Sequence, residues 1–128
     1  MKLMRKDMGQ SNLKRAEEIQ NLLISKGFTW KSHEQAKEKV LEEIDELFVE
    51  INAPEINQDR LEDEFGDCLF SLLNLACRLN LDSEKCLGLA ISKFENRIAY
   101  VEEQAQQEGL TMQDVELQQM LQWWKLAK

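Results

Sequence analysis

Three runs of apolar residues, spaced three and four apart, commit most of this chain to helix. Val40, Ile44, Leu47 and Ile51 form one run, and Leu61, Phe65, Cys68, Leu72, Leu75 and Leu79 a second. Leu87, Ile91, Phe94, Ile98 and Val101 form the third. That spacing stacks side chains on one face of a 3.6-residue helix. Shorter versions occur at Ala16, Ile19, Leu22 and Leu23, and at Val115, Leu117, Met120, Leu121 and Trp124. Nowhere do apolar and polar residues alternate long enough to predict a strand. One proline and five glycines are the only strong punctuation in 128 residues. Pro54 closes the first run, and Gly27 and Gly109 mark two further junctions. Ser32-x-x-Gln35 reads as a capping box, Asp82 or Ser83 caps the third run, and Thr111-x-x-Asp114 caps the last helix. The expectation is an all-α bundle of five helices, near 11–26, 33–52, 59–80, 83–107 and 113–126, in a single domain over 1–128. Three strong stripes in so short a chain should leave one uncovered, which predicts a dimer or a higher oligomer.

Charge narrows the partners. Sixteen basic against twenty-four acidic side chains give a net charge of −8 and a pI near 4.7. Nucleic acid and anionic membranes need basic surfaces, so neither is expected as a partner. The longest uncharged stretch, Cys68 to Cys77, has ten residues and is too short to span a bilayer. No apolar segment follows Met1-Lys2, so no export signal is expected. Cys68, Cys77 and Cys86 are odd in number and form no CxxC, which fits inert thiols on apolar faces in a reduced cytoplasm.

The acidic residues are not evenly spread around their helices. With about 100° per residue and the Val40 run at zero, Glu43 and Glu46 fall about 60° and 120° to one side, while Glu42 and Asp45 face away. Around the second run, Glu64 and Asp67 take the same two angles on the same side. Two neighbouring helices would therefore converge four carboxylates at the edge of the bundle. Such a cluster repels itself unless a cation sits within it, and all-oxygen ligands suit Mg²⁺, Mn²⁺ or Ca²⁺. Zinc lacks a Cys or His pair, and the one histidine, His33, is not placed for a di-iron site; it belongs to the first turn of its helix. On the third run, Lys93, Arg97 and Tyr100 flank the apolar stripe; a carboxylate-held cation beside Lys and Arg is what a polyphosphate requires. The plainer alternative is that the acids are a solvated face, with Lys39 paired to Glu43 one turn on.

Lys39-Val40-Leu41-Glu42-Glu43-Ile44-Asp45-Glu46, then seventeen residues, then Glu64-Phe65-Gly66-Asp67, resembles the EExxE and ExxD pattern of the MazG family of nucleoside triphosphate pyrophosphohydrolases. The likeness extends through Leu13 to Ala16, Gly27 to Trp30, Leu72 to Leu79 and Lys93 to Glu102. The ending Trp124 to Lys128 resembles the tail of the C-terminal domain of longer members. The resemblance implies an all-α fold that assembles at least as a dimer, with Mg²⁺ (or Mn²⁺) held by Glu43, Glu46, Glu64 and Asp67. It implies phosphate contacts from Lys93 and Arg97, and hydrolysis of a nucleoside triphosphate to the monophosphate and pyrophosphate. Glu42, Glu43 and Glu46 are the catalytic set, with Glu42 or Glu46 orienting the attacking water. The family's K-F-x-R-R-F run reads here Lys93-Phe94-Glu95-Asn96-Arg97-Ile98, one arginine and one phenylalanine short.

Other residues carry two readings each. Trp30 and Trp124 either stack on a base or pack against apolar neighbours, and Trp123 is expected on a surface or subunit contact. Asn74 reaches a substrate hydroxyl or satisfies a carboxylate. Gly66, costly inside a helix, suggests a close helix approach. Two other functions remain in view: a non-catalytic helical dimerisation module, and a narrower enzyme acting on deoxynucleotides or modified nucleotides. The enzyme would be a homodimer or homotetramer.

Overall fold

The computed structural model describes residues 9–128; Met1-Lys2, on which the expectation about export rests, lies outside them. Five α-helices follow one another: α1 Asn12–Ser25, α2 His33–Ile51, α3 Gln58–Arg78, α4 Ser83–Gln107 and α5 Leu117–Leu126. Among the described residues there is no strand, and no helix is long and apolar enough to cross a membrane. The all-α expectation holds, and apart from the start of the last helix no end moves by more than two residues.

Local chemistry sets most of the boundaries. Ser11, Ser32 and Asn57 accept from the N–H three residues on, at 3.2, 3.1 and 3.2 Å, capping α1, α2 and α3. Gly27 and Gly109 take positive φ of 86° and 72° where helices end, a conformation that costs glycine little. Ser83 opens α4, and its N–H donates at 2.8 Å to Glu17 Oε1 on α1. The last helix differs from expectation. Thr111 and Asp114 do pair, N–H and hydroxyl donating to the carboxylate at 3.3 and 2.9 Å, but they close a 3₁₀ turn over Met112–Asp114. Val115 and Glu116 are then extended, so α5 starts four residues later than predicted.

The described residues form two compact units, divided between Glu84 and Lys85. In the first, α3 packs against both α1 and α2. Each apolar run there is split along its length. Val40 and Leu47, and Leu61, Cys68 and Leu75, are half-buried, whereas Ile44 and Ile51, and Phe65, Leu72 and Leu79, are exposed. One edge of each stripe is covered within the chain and the other is open. Among the described residues of this unit the buried positions are Ala36, Gln20, Glu43, Asn74 and Cys77. The interior thus runs along what the sequence marked as the flank of the stripe. A Cβ on Gly66 would meet open space, so no close helix approach within the chain explains that glycine.

In the second unit, Val101 and Ala105 of α4 bury against Trp123 of α5, with Tyr100, Met112, Val115, Met120 and Trp124 around them. Trp123 was expected on a surface; it is the core tryptophan, because α5 begins late and presents that side to α4. Of the thiols, Cys77 is buried and Cys68 half-buried, but Cys86 is exposed rather than part of a core.

Candidate functional site

Helices α2 and α3 bring three carboxylates together. One oxygen each from Glu43, Glu64 and Asp67 lies within 4.8 Å of the other two. Glu43 comes from the middle of α2, and Glu64 and Asp67 lie three apart on α3, the one-turn spacing that puts both on one face. Glu43 is only 7% exposed. Its Oε1 is 2.9 Å from Lys39 Nζ, one turn back, while its Oε2 is buried without a hydrogen-bond partner. Glu64 Oε2 is orphaned in the same way.

Two buried, unpartnered carboxylate oxygens are costly, and each such case demands a cause. A hard cation supplies one, since it draws on several oxygens from rigid elements. The donor set therefore fits Mg²⁺ or Mn²⁺ and offers no nitrogen or sulfur to favour a softer metal.

The local electrostatics bear the mark of crowded negative charge. Burial first, then Asp67 and other acids, push the Glu64 carboxyl up; burial first, then Glu43 and Asp63, push Asp67 up, with Lys39 opposing. Glu46, expected as a fourth ligand, is not one of the three converging residues but sits in their field. The Glu43 charge is the chief cause that raises its carboxyl, followed by burial, Glu64 and Glu42. Glu42 is more open, 57% exposed at its side chain, and lies 3.6 Å from Lys39. The Cys68 thiol is also raised, first by burial and then by Glu43, Glu64 and Asp67.

A cavity of about 590 Å³ opens from this cluster inside the first unit, with Glu43, Asp67 and Lys39 on its wall. The rest of the lining combines aromatic rings with amides: Phe28, Trp30 and Phe70, then Gln20, Ser71 and Asn74. The α1–α2 connection carries Phe28 and Trp30 into that wall, and Arg78 at the end of α3 holds it there. Arg78 Nη1 donates to Thr29 Oγ1 at 2.8 Å and to the Trp30 carbonyl. Inside the wall, Gln20 Nε2 donates to the Phe70 carbonyl at 3.2 Å and Asn74 Nδ2 to Gln20 Oε1 at 2.8 Å. Asn74 was read as reaching either substrate or a carboxylate; its observed partner is Gln20.

The remaining expected residues lie in the second unit. Arg97 stacks over the Trp124 ring, 4.1 Å from its centroid, and donates to the Trp124 carbonyl. Phe94 meets the same indole at 4.9 Å between centroids, its ring tilted by 54°. Trp124 is therefore a packing partner within its own unit. Lys93, Arg97, Tyr100 and Lys128 line a cavity of about 410 Å³, and Arg97 Nε is buried without a partner.

Sequence reasoning passed over Gln20 and Arg78. A glutamine beside Ile19 and between Ala16 and Leu23 on the inward side of α1 was a legible signal, because a polar group in an apolar stripe needs a reason. Arg78 gave none, since its partners are 48 and 49 residues away.

The MazG nucleotide pyrophosphohydrolase domain matches residues 31–102. That span holds Glu42, Glu43, Glu46, Glu64, Asp67, Asn74, Lys93 and Arg97, and leaves Trp124 outside. The chain is 39% identical over 116 residues to a nucleoside triphosphate pyrophosphohydrolase of Escherichia coli K12, covering 91% of this chain and 44% of that protein. It is 38% identical, over the same shares, to a nucleoside triphosphate pyrophosphohydrolase/pyrophosphatase MazG of Thermotoga maritima. A shorter match, 38% over 72 residues, covers 56% of this chain and 15% of the uncharacterized protein YabN of Bacillus subtilis. The chain spans less than half the length of the relatives it matches.

Proposed function

Because the chain belongs to the MazG nucleotide pyrophosphohydrolase domain family, we propose that it hydrolyses nucleoside triphosphates to the monophosphate and pyrophosphate with a divalent cation. The observation that carries this reading is the trio Glu43, Glu64 and Asp67, with two buried oxygens that lack partners. The names of the relatives from Escherichia coli and Thermotoga maritima support the activity and its substrate class.

In this reading Glu43, Glu64 and Asp67 hold Mg²⁺ (Mn²⁺ as a substitute), with Glu46 completing the set. When bound, the cation supplies Lewis-acid polarisation of the phosphate oxygens and of water. Glu42 and Glu46 are the two candidate bases: Glu46 stands in the field of Glu43, and Glu42 is exposed and lies 3.6 Å from Lys39. Lys39 holds Glu43 in place and partly offsets its charge. Lys93 and Arg97 neutralise phosphate; their support is a cation-lined cavity and an unpartnered guanidinium nitrogen in their own unit.

We extend the reading to a homodimer or homotetramer working in the cytoplasm. The open edges of the stripes on α2 and α3 support self-association. Three free cysteines are compatible with a reducing compartment.

The test is pyrophosphate release from a mixed nucleotide panel with and without Mg²⁺. Release is expected only with the cation, and Glu43→Gln should lower kcat/KM at least about 100-fold while the far-UV circular dichroism stays helical. A folded Glu43→Gln chain with full activity overturns the assignment.

A further inference from the structure

We infer that Asn74 selects the base of the nucleotide through its side-chain oxygen, favouring a base edge that offers an exocyclic amino group. The ligand being a nucleotide rests on the reading above; the preference for an amino edge does not.

The argument starts from a backbone carbonyl. The Phe70 C=O can only accept, so Gln20 must turn its Nε2 toward it, at 3.2 Å. Gln20 Oε1 then faces Asn74 and accepts from Nδ2 at 2.8 Å. Both amides are thereby fixed in orientation, and Asn74 is left presenting an acceptor. That oxygen has no hydrogen-bond partner, although Asn74 is only 9% exposed and Gln20 5%. A buried acceptor held by two relayed hydrogen bonds, and left unpaired, is matched by a donor from outside the chain.

The surroundings say what kind of donor. Asn74 lines the cavity that also carries the rings of Phe28 and Trp30 and the carboxylates of Glu43 and Asp67. Flat apolar faces suit a planar heterocycle, and the carboxylates mark where a cation and phosphates would lie. An amino group on such a ring projects its N–H beyond the ring edge, toward a lone acceptor. An imide N–H lies between two carbonyl oxygens, which would crowd the Asn74 oxygen with like partial charge. Gln20 is a positioning residue here: it touches no ligand in this scheme and acts by fixing the Asn74 amide.

The experiment compares monophosphates that differ by one group: cytidine monophosphate, its 4-deamino analogue with a pyrimidin-2-one base, and uridine monophosphate. Each is titrated into the full chain with Mg²⁺, following the Asn74 side-chain amide by two-dimensional NMR. Cytidine monophosphate should bind about tenfold or more tighter than either of the others and shift the Asn74 resonance. Asn74→Leu should abolish the preference, and Gln20→Met should weaken it by letting the amide turn. Equal affinity for the three, an unmoved Asn74 resonance, or no binding at all overturns the inference, and equal affinity would mean that only water answers the oxygen. The wild-type comparison decides even if a variant fails to fold. Monophosphates are not hydrolysed to pyrophosphate, so an amino preference without triphosphate turnover would sink the enzymatic reading and leave this one standing.

Discussion

Lys39 Nζ lies 2.9 Å from Glu43 Oε1, and among the described residues this ion pair is the one cationic answer to the most buried carboxylate of the cluster. The lysine side chain keeps 33% of its exposure while the glutamate keeps 9%. Lys39 therefore reaches in from solvent, and its ammonium is held above its ordinary value, chiefly by the hydrogen bond to Glu43. The other oxygen of Glu43 is left for a different cation.

Lys39→Met should consequently destabilise the metal-free chain by about 1 kcal/mol, since a buried charge loses its partner through a bond that is half open to water. Saturating Mg²⁺ should erase most of that deficit, because the added cation replaces the lost one. Thermal melts of both chains with and without Mg²⁺ measure this. A deficit that Mg²⁺ leaves untouched would show that Lys39 and the metal do not share Glu43.

The raised carboxyls of Glu46, Glu64 and Asp67 make metal-free stability fall with rising pH. A carboxyl raised in the folded state binds more protons there than in the unfolded chain, so folding is favoured on the acid side. That contribution is present below the ordinary value near 4.5 for the two glutamates and is lost as pH climbs through their raised values. Mg²⁺ competes with the same protons, so its stabilisation should grow across that window and level off above it. Melting temperatures against pH, with and without Mg²⁺, check both trends. A Mg²⁺ shift that is the same at pH 5 and pH 8 would mean that the cation binds elsewhere.

The helices and the pairing of Glu43 with Glu64 and Asp67 were legible because both follow from periodicity along single helices. Two things were not. The sequence placed the carboxylates at the edge of an apolar interior, yet Glu43 is buried and Ile44, beside it, is 38% exposed. Periodicity reports which residues share a face, but not which edge of that face a neighbour covers. Loop contacts were equally out of reach: Arg78 meets Thr29 and Trp30 across nearly fifty residues, and no local pattern announces such a pair. Trp123 and Trp124 show the limit at its narrowest. A two-residue break at Val115 and Glu116 sets the phase of α5 and decides which of the pair is core.

Arg78 should matter for substrate affinity without entering the chemistry. It ties the segment bearing Thr29 and Trp30 to the end of α3, the helix that carries Glu64 and Asp67. Arg78→Met removes both hydrogen bonds and frees one wall of the cavity. The expected result is a KM for triphosphates raised several-fold, kcat within about twofold, and partial recovery in Arg78→Lys, which restores one donor point. Steady-state kinetics on the three chains decide it. An equal fall in kcat with KM unchanged would place Arg78 in the reaction itself.

The open edges of the stripes predict how the chain assembles. On α3, Phe65, Leu69 and Leu72 follow one another at spacings of four and three and are 55%, 52% and 53% exposed. On α2, Leu41, Ile44, Phe48 and Ile51 repeat the pattern with 49%, 38%, 52% and 39%. Two adjacent helices with parallel apolar edges present a surface that a second copy can cover with the same two helices, related by a two-fold axis. Leaving it in water would forgo about 25 cal/mol for each Å² of apolar area. Leu72→Asp puts a charge in the middle of that surface and touches none of the three clustered carboxylates. In sedimentation velocity the parent chain should run as a multiple of 15.0 kDa, and the variant should shift toward 15.0 kDa while keeping its helical circular dichroism. A parent chain that sediments as a monomer at micromolar concentration would remove self-association and leave those edges for a different partner.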